Sequence, residues 1–400
     1  MESLRIAFVS SHHPAEQAMG LAHIVSALSR CMARDGHAVR VYYPTYGATG
    51  AGQVATRGTH DKVETVGVPT PRESFWPFGP ETHFSRRVAR LLESDLDVVV
   101  VNNEQGGAGV VRQALRMDRA PGGGHPLAVD VLHGLGLRFL EVGRATRPKT
   151  FRTYYAGFWA DRFFLRRLEG GGAREVEVCI ACSKAVKEDL RSVYHVDLRR
   201  IHVIYNGVTP RQPRTREEYE RARQRLGIPQ GTRVLSFLGR DPYRKGLDIA
   251  RHTVSRLRKE GIPLLLLNAG NDEPSEEGVR TLGSVSEADR AALMDACDAF
   301  FLPTRYEGFP AVVQEAAARA IPVVTSGEAN VELGTPGRDF IEVRPNTVDA
   351  HSAALLEALK DPSELWNMGE RGRKTLGTRT YEAQAEEYLA LFRRGLSSTS

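Results

Sequence analysis

At 400 residues the chain is longer than one hydrophobic core usually organises, and its length favours two domains. Its 54 basic and 49 acidic residues give a formal net charge of +5, and the bases are scattered among acids, as in REEYERARQR, which describes solvated helix faces and argues against a nucleic-acid stripe. Four cysteines, no apolar leader after Met1 and no apolar run of about 18 residues point to a reducing cytoplasm and to no membrane span.

The first predicted elements are an apolar strand, LRIAFVS, a loop, an amphipathic helix, GLAHIVSALSRCMARDG, and a second strand, HAVRVYY. A strand–helix–strand unit with short connections predicts a parallel sheet. The pattern returns in DVVVVN, PLAVDVLHG and VEVCIACS, so Leu4 to about Asn206 reads as one doubly wound α/β domain. After the turn YNGVTP, a charged helix, TREEYERARQRLG, leads into a new series of strands: RVLSFLGR, PLLLLNAG, AFFLPT and IPVVTS. Each is followed by helix or loop, which predicts a second Rossmann-like parallel domain. No Ser/Gly-rich linker separates the two, so Asn206 to Pro213 reads as a short hinge, and a ligand is expected in the cleft between the domains. The expected boundaries are residues 1–207, 208–380 and a closing amphipathic helix with a frayed tail over 381–400.

Ligands of open parallel sheets sit beyond the carboxyl ends of the strands, so the residues just after each strand carry the information. Gly239 and Arg240 end the strand VLSFL, and Lys245 follows five residues later at a helix entry. A guanidinium fork and a mobile ammonium placed there can hold a diphosphate, although either base alone would pass for a surface residue. After AFFLPT comes RYEGFPAVVQEAAARAIPVV, in which Glu307 and Glu315 are separated by seven residues. Gly308 permits close backbone approach, Pro310 suits a first helical turn, and the helix start offers unpaired N–H groups to an anion. Glu315 lies about two turns farther on and reaches a different part of an elongated ligand. One acid for a sugar and one for a ribose would explain the spacing; a dipole-stabilising acid plus an ordinary helical Glu would leave the glycine unexplained.

These residues resemble a known family. The succession NGV, FLGRDPYRKG and LGSVSEADRAALMDACDAFFLPTRYEGFPAVVQEAAARAIPVVTS is similar to the nucleotide-sugar glycosyltransferases of family four, retaining enzymes of the GT-B fold. The likeness is specific over Ile201 to Ser326 and looser elsewhere, resting in the first domain on GLAHIVSALSRCMARDGHAVRVY, VLHG and CSKAVKEDL. It implies that Glu307 contacts donor-sugar hydroxyls, Glu315 binds the ribose, Arg240 and Lys245 grip the diphosphate, and amides near Gly308 and Phe309 assist. It also implies that His133, in VLHG, lies beside the donor sugar; read without the likeness, a lone strand-end histidine is more often structural. Two departures stand out. The loop SSHHPAEQAMGLAH keeps only Gly20 where the family often carries a Gly-Gly pair, and Ala320 replaces a usual glycine, which reads as a mild change at a helix end.

The implied activity is metal-independent, retaining transfer of a sugar from a nucleoside diphosphate sugar to an acceptor held by the first domain, without a cofactor and without nucleic acid. A small soluble acceptor is expected, with a lipid acceptor or peripheral membrane contact as the variant. The rivals are a nucleotide-sugar epimerase or hydrolase on the same frame, a silent sugar-nucleotide sensor, and a nicotinamide oxidoreductase, the last disfavoured because no G-x-G-x-x-G follows the first strand.

Four further signals are read as structural or open. Asp95 and Asp97 form an Asp-x-Asp, but they precede a strand at the end opposite the ligands and are expected to cap. Cys179 and Cys182 form a C-x-x-C with no second pair to complete a zinc set, which predicts core packing. His12 and His13 follow the first strand and are either acceptor contacts or plain loop residues. The run FRTYYAGFWADRFFLRRLE has near-helical apolar spacing, so a buried helix face is expected ahead of a membrane or acceptor contact.

Overall fold

The computed structural model describes residues 3–10, 12–15, 20–46, 55–71, 79–102, 107–117, 125–146 and 151–399. The chain divides into two compact units: Met1–Leu140, Lys149–Gly207 and Arg379–Ser400 form the first, and Glu141–Pro148 with Val208–Thr378 the second.

The first unit contains β1 (Arg5–Val9), α1 (Gly20–Arg34), β2 (Ala38–Tyr46), β3 (Thr56–His60), β4 (Val63–Thr70), α2 (Gly79–Leu91), β5 (Val98–Asn102), α3 (Ala108–Ala114), β6 (Leu127–Leu132), α4 (Gly136–Thr146), α5 (Phe151–Glu175), β7 (Val178–Ala181), α6 (Lys184–Tyr194) and β8 (Ile201–Val203). Its eight-stranded sheet runs β3–β4–β2–β1–β5–β6–β7–β8 and is parallel except for the antiparallel β3–β4 pair. Strands such as VVVVN at β5 are buried throughout, as a sheet covered on both faces requires.

The second unit holds α7 (Arg216–Arg225), β9 (Arg233–Leu238), α8 (Leu247–Lys259), β10 (Leu264–Ala269), β11 (Val279–Thr281), α9 (Glu287–Asp295), β12 (Ala299–Leu302), α10 (Ala311–Ala318), β13 (Val323–Ser326), β14 (Ile341–Val343), α11 (Val348–Ala358) and α12 (Pro362–Leu376). Its six strands are all parallel, in the order β11–β10–β9–β12–β13–β14. Chain order therefore reverses between β9 and β12. The loops leaving those two adjacent strands flank a topological switch point, the place where such sheets bind ligands.

The last helix, α13 (Tyr381–Thr399), belongs to the first unit. Tyr381, Ala385, Tyr388, Leu389, Phe392 and Leu396 recur at helical spacing and join the core of that sheet. The backbone at Gly207 meets it closely: a Cβ there would lie 2.6 Å from the Tyr381 nitrogen, and the Gly207 N–H donates to Gln384 Oε1 at 2.8 Å. Only glycine fits where those two segments touch.

Asp97 caps a strand start: its carboxylate accepts the Arg5 N–H at 2.8 Å and pairs with the Arg5 guanidinium. Cys179 and Cys182 are buried, and the Cys179 thiol donates to the Ala173 carbonyl at 3.1 Å. In α5, Leu165 and Glu169 are buried while Phe163 is exposed; the side chains of residues 151–161 in that aromatic run lie outside the described set.

Ala320 takes a left-handed conformation, φ +56°, just past α10. Its N–H reaches the Ala317 carbonyl at 2.9 Å and the Ile321 N–H reaches Ala316 at 3.0 Å, which is the Schellman closure that normally uses glycine. The strain of about 1–2 kcal/mol for an L-residue in that region is offset in part by burial of the Ala320 methyl group, worth about 0.8 kcal/mol.

Candidate active site

In the second unit the end of β9 is built for close approach. The Lys245 stem lies across Gly239, where a Cβ would sit 1.9 Å from Lys245 Cδ. Behind it the Asn271 amide donates to the Gly239 carbonyl at 2.9 Å and exchanges hydrogen bonds with Asn268, whose amide also reaches Thr281 Oγ1 at 2.9 Å. Two buried asparagines thus fix the strand end from which Arg240 emerges; Arg240 itself is exposed. Gly246, φ +79°, ends the turn and forms the N-cap of α8.

At the end of β12, Glu307 is buried, 9% exposed. Its Oε1 accepts Lys245 Nζ at 2.8 Å and Arg244 Nη1 at 2.7 Å. Burial by itself would push this carboxyl up, but the charges of Lys245 and Arg244 and their hydrogen bonds outweigh it and hold the group below its ordinary value. Glu307 is therefore ionised at neutral pH. Its backbone is also fixed: its N–H donates to the Glu328 carbonyl at 3.1 Å, and its carbonyl accepts Asn330 Nδ2 at 2.5 Å. Gly308, Phe309 and Pro310 are buried beside it, and Pro310 is the N-cap of α10, one position earlier than the first-turn placement expected from the sequence, with no side chain capping the helix.

Glu315 stands half-exposed on α10, ion-paired with Arg290 of α9. Burial lowers the Arg290 guanidinium from its ordinary value, with Glu287 opposing that shift. Arg244 and Arg290 escaped the sequence reading. Arg244 had a visible signal, a second base in YRKG beside the lysine, whereas Arg290 lies in an ordinary charged helix and nothing in its spacing points to Glu315.

In the first unit, His133 follows β6. Burial pushes its imidazole down to about 4, so the ring is neutral at pH 7. Both ring nitrogens are shielded from solvent and neither has a hydrogen-bond partner among the described residues. Leaving two buried polar atoms unsatisfied is costly. His13 packs edge-on against Tyr43, ring centroids 4.5 Å apart, and its Nδ1 accepts the Ala15 N–H at 2.9 Å, while the His12 N–H donates to Ser10 Oγ at 3.3 Å. Gly20 is the first residue of α1, and most of the loop before it lies outside the described residues. Among the described residues there is no group of three or more His, Cys, Asp or Glu side chains placed to hold a metal ion, and no helix long and apolar enough to cross a membrane.

Comparison with known proteins gives two family matches: Glycosyltransferase Family 4 over residues 19–212 and Glycosyl transferases group 1 over residues 232–361. The chain is 27% identical to an MMP alpha-(1->4)-mannosyltransferase of Mycolicibacterium hassiacum, an alignment that covers 93% of this chain and 94% of the relative. It is 29% identical to a glycogen synthase of Mycobacterium tuberculosis over 51% of this chain and 50% of that one. The fold is that of sucrose-phosphate synthase from Thermosynechococcus elongatus, with a TM-score of 0.77, 18% identity, and coverage of 99% of this chain and 100% of that one.

Proposed function

The chain belongs to the family 4 glycosyltransferases of GT-B fold, and we propose that it transfers a hexosyl group from a nucleoside diphosphate sugar to a small soluble acceptor in the cytoplasm, with retained anomeric configuration and without a metal ion. One observation carries this reading: at the switch point between β9 and β12, Lys245 and Arg244 pair with an ionised, buried Glu307 just before the start of α10, which no side chain caps, while Arg240 stands exposed directly after β9. The near full-length likeness to an alpha-(1->4)-mannosyltransferase supports hexosyl transfer.

In this reading the second unit holds the donor. Arg240 and Lys245 bind the diphosphate, Gly239 lets the Lys245 stem pass, and the amides of Gly308 and Phe309, with the helix start at Pro310, add positive potential. Glu307 takes the sugar hydroxyls and Glu315 the ribose. As the carbon–oxygen bond to the leaving group breaks, charge grows on the diphosphate and the sugar becomes oxocarbenium-like, so groups preorganised around the diphosphate act most strongly at that moment. From the first unit, the neutral His133 ring supplies one donor and one acceptor to substrate, Gly20 serves the donor phosphate, and His12 and His13 serve the acceptor.

Thermal-shift measurements with UDP, GDP and ADP test the donor assignment, because a ligand that binds the native state raises its melting temperature by mass action. A rise with at least one of them is expected; no rise with any would contradict it. Turnover is expected to survive exhaustive chelation with EDTA, and loss that magnesium or manganese restores would overturn the metal-free reading. The two acids separate by assay. Glu315→Gln is expected to weaken both free nucleotide and donor, whereas Glu307→Gln leaves free nucleotide binding unimpaired and damages use of the intact donor. Equal losses of nucleotide affinity in the two variants would contradict the division between ribose and sugar.

A further inference from the structure

We infer that Arg244 is a positioning residue that keeps Glu307 neutralised, so that Lys245 can leave the carboxylate for an incoming diphosphate. The inference rests on the donor assignment above. Both bases bind the same oxygen of Glu307, Oε1, but they are held very differently. Arg244 Nη1 also donates to the Tyr306 carbonyl at 2.9 Å, and its Nε donates to Asp241 Oδ2 at 3.2 Å. The Arg244 carbonyl accepts Thr304 Oγ1 at 3.0 Å and the Arg305 N–H at 2.8 Å. The residue thus ties the loop after β9 to the loop after β12 at several points, and its guanidinium cannot leave Glu307 without disturbing its bonds to Tyr306 and Asp241 as well. The Lys245 ammonium has one polar contact among the described residues, the bond to Glu307, at the end of a flexible stem laid over Gly239.

Charge counting gives the two bases different tasks. Glu307 is buried and ionised, and a buried carboxylate stripped of its cations is strongly disfavoured. A diphosphate brings about two further negative charges. If Arg244 stays on Glu307, then Lys245 and Arg240 together match the diphosphate. Were Arg244 absent, Lys245 would have to stay on Glu307, leaving Arg240 alone. Lys245 therefore rests on Glu307 in this structure, and Arg244 lowers the cost of its release.

The test is calorimetric titration of UDP, GDP and ADP into the unmodified protein and its variants, with each variant's melting temperature recorded. Free nucleoside diphosphate is the sensitive probe because it already carries the charge that the leaving group acquires. Arg244→Met should weaken binding about tenfold, the effect of withdrawing one charge-assisted contact. Adding Glu307→Gln to Arg244→Met should restore binding to within about twofold of Glu307→Gln alone, since the carboxylate that detains Lys245 is gone. A purely structural role for Arg244 would not be rescued this way. Arg244→Lys should bind nearly as the unmodified protein does. Should Arg244→Met fail to fold, Glu307→Gln alone still decides: release of Lys245 should tighten nucleotide binding, and unchanged binding overturns the inference. Binding unmoved by Arg244→Met, or a loss not rescued by Glu307→Gln, also overturns it while leaving the donor assignment intact. An unmodified protein that binds none of the three nucleotides overturns the donor assignment and the inference with it.

Discussion

Lys245→Met is expected to lower kcat about a hundredfold and to raise the donor KM by much less, as for removal of one preorganised group that stabilises developing charge. Methionine keeps most of the stem that crosses Gly239 and deletes the ammonium. Glu307 keeps its bond from Arg244 at 2.7 Å, so the variant is not left with an unpaired buried carboxylate and should remain folded. The loss falls on kcat because the intact donor has less negative charge on its diphosphate than the departing nucleotide. Arg240→Lys retains a charge but loses the planar fork, and should cost clearly less. Steady-state kinetics with saturating acceptor separate the cases. If Lys245→Met leaves kcat intact and only raises KM, the lysine supplies uniform binding and has no special part in the transition state.

Gly246→Ala should destabilise the fold by roughly 2–5 kcal/mol, combining left-handed strain with overpacking. The residue has φ +79°, and a Cβ added there would fall 1.9 Å from the Pro303 carbonyl oxygen, a backbone atom that cannot turn aside. Gly261 provides the control: its φ is +88°, yet an added Cβ meets nothing within 4 Å. Gly261→Ala should therefore show the strain alone, about 1–2 kcal/mol. Chemical denaturation followed by two spectroscopic probes measures both. Equal losses at the two positions would mean that the loop after β12 yields to Gly246 at no cost, and the strand-end turn would be softer than its geometry implies.

Much of the architecture was legible in the chain. The strand RVLSFL and the run AFFL are short, apolar and followed by glycine or proline, so both their type and their ends could be read locally. Arg240, Lys245 and Glu307 could be singled out as candidates because ligand residues of parallel sheets are expected after strand ends, which needs no tertiary information. The β3–β4 hairpin escaped, because β3 (TRGTH) is largely exposed and has no apolar alternation to detect. The strands β8, β11 and β14 have three residues each, too few to show a period. The heptad-like spacing of α13 showed an apolar face, but nothing local said which core it would complete.

The tertiary structure decided how the charges are partnered. Arg244 and Glu307 are separated by 63 residues in the chain, and they meet because β12 inserts beside β9, reversing the strand order there. That adjacency puts Arg244, which the sequence reading passed over, on Glu307 beside Lys245, the base read as a phosphate ligand, whose ammonium is held there by a single bond. Periodicity and strand-end position are local properties that a sequence carries openly. The sharing of one carboxylate oxygen by two cations depends on which strands are neighbours, and that is settled only when the whole sheet assembles and burial makes an unpaired charge too costly to leave.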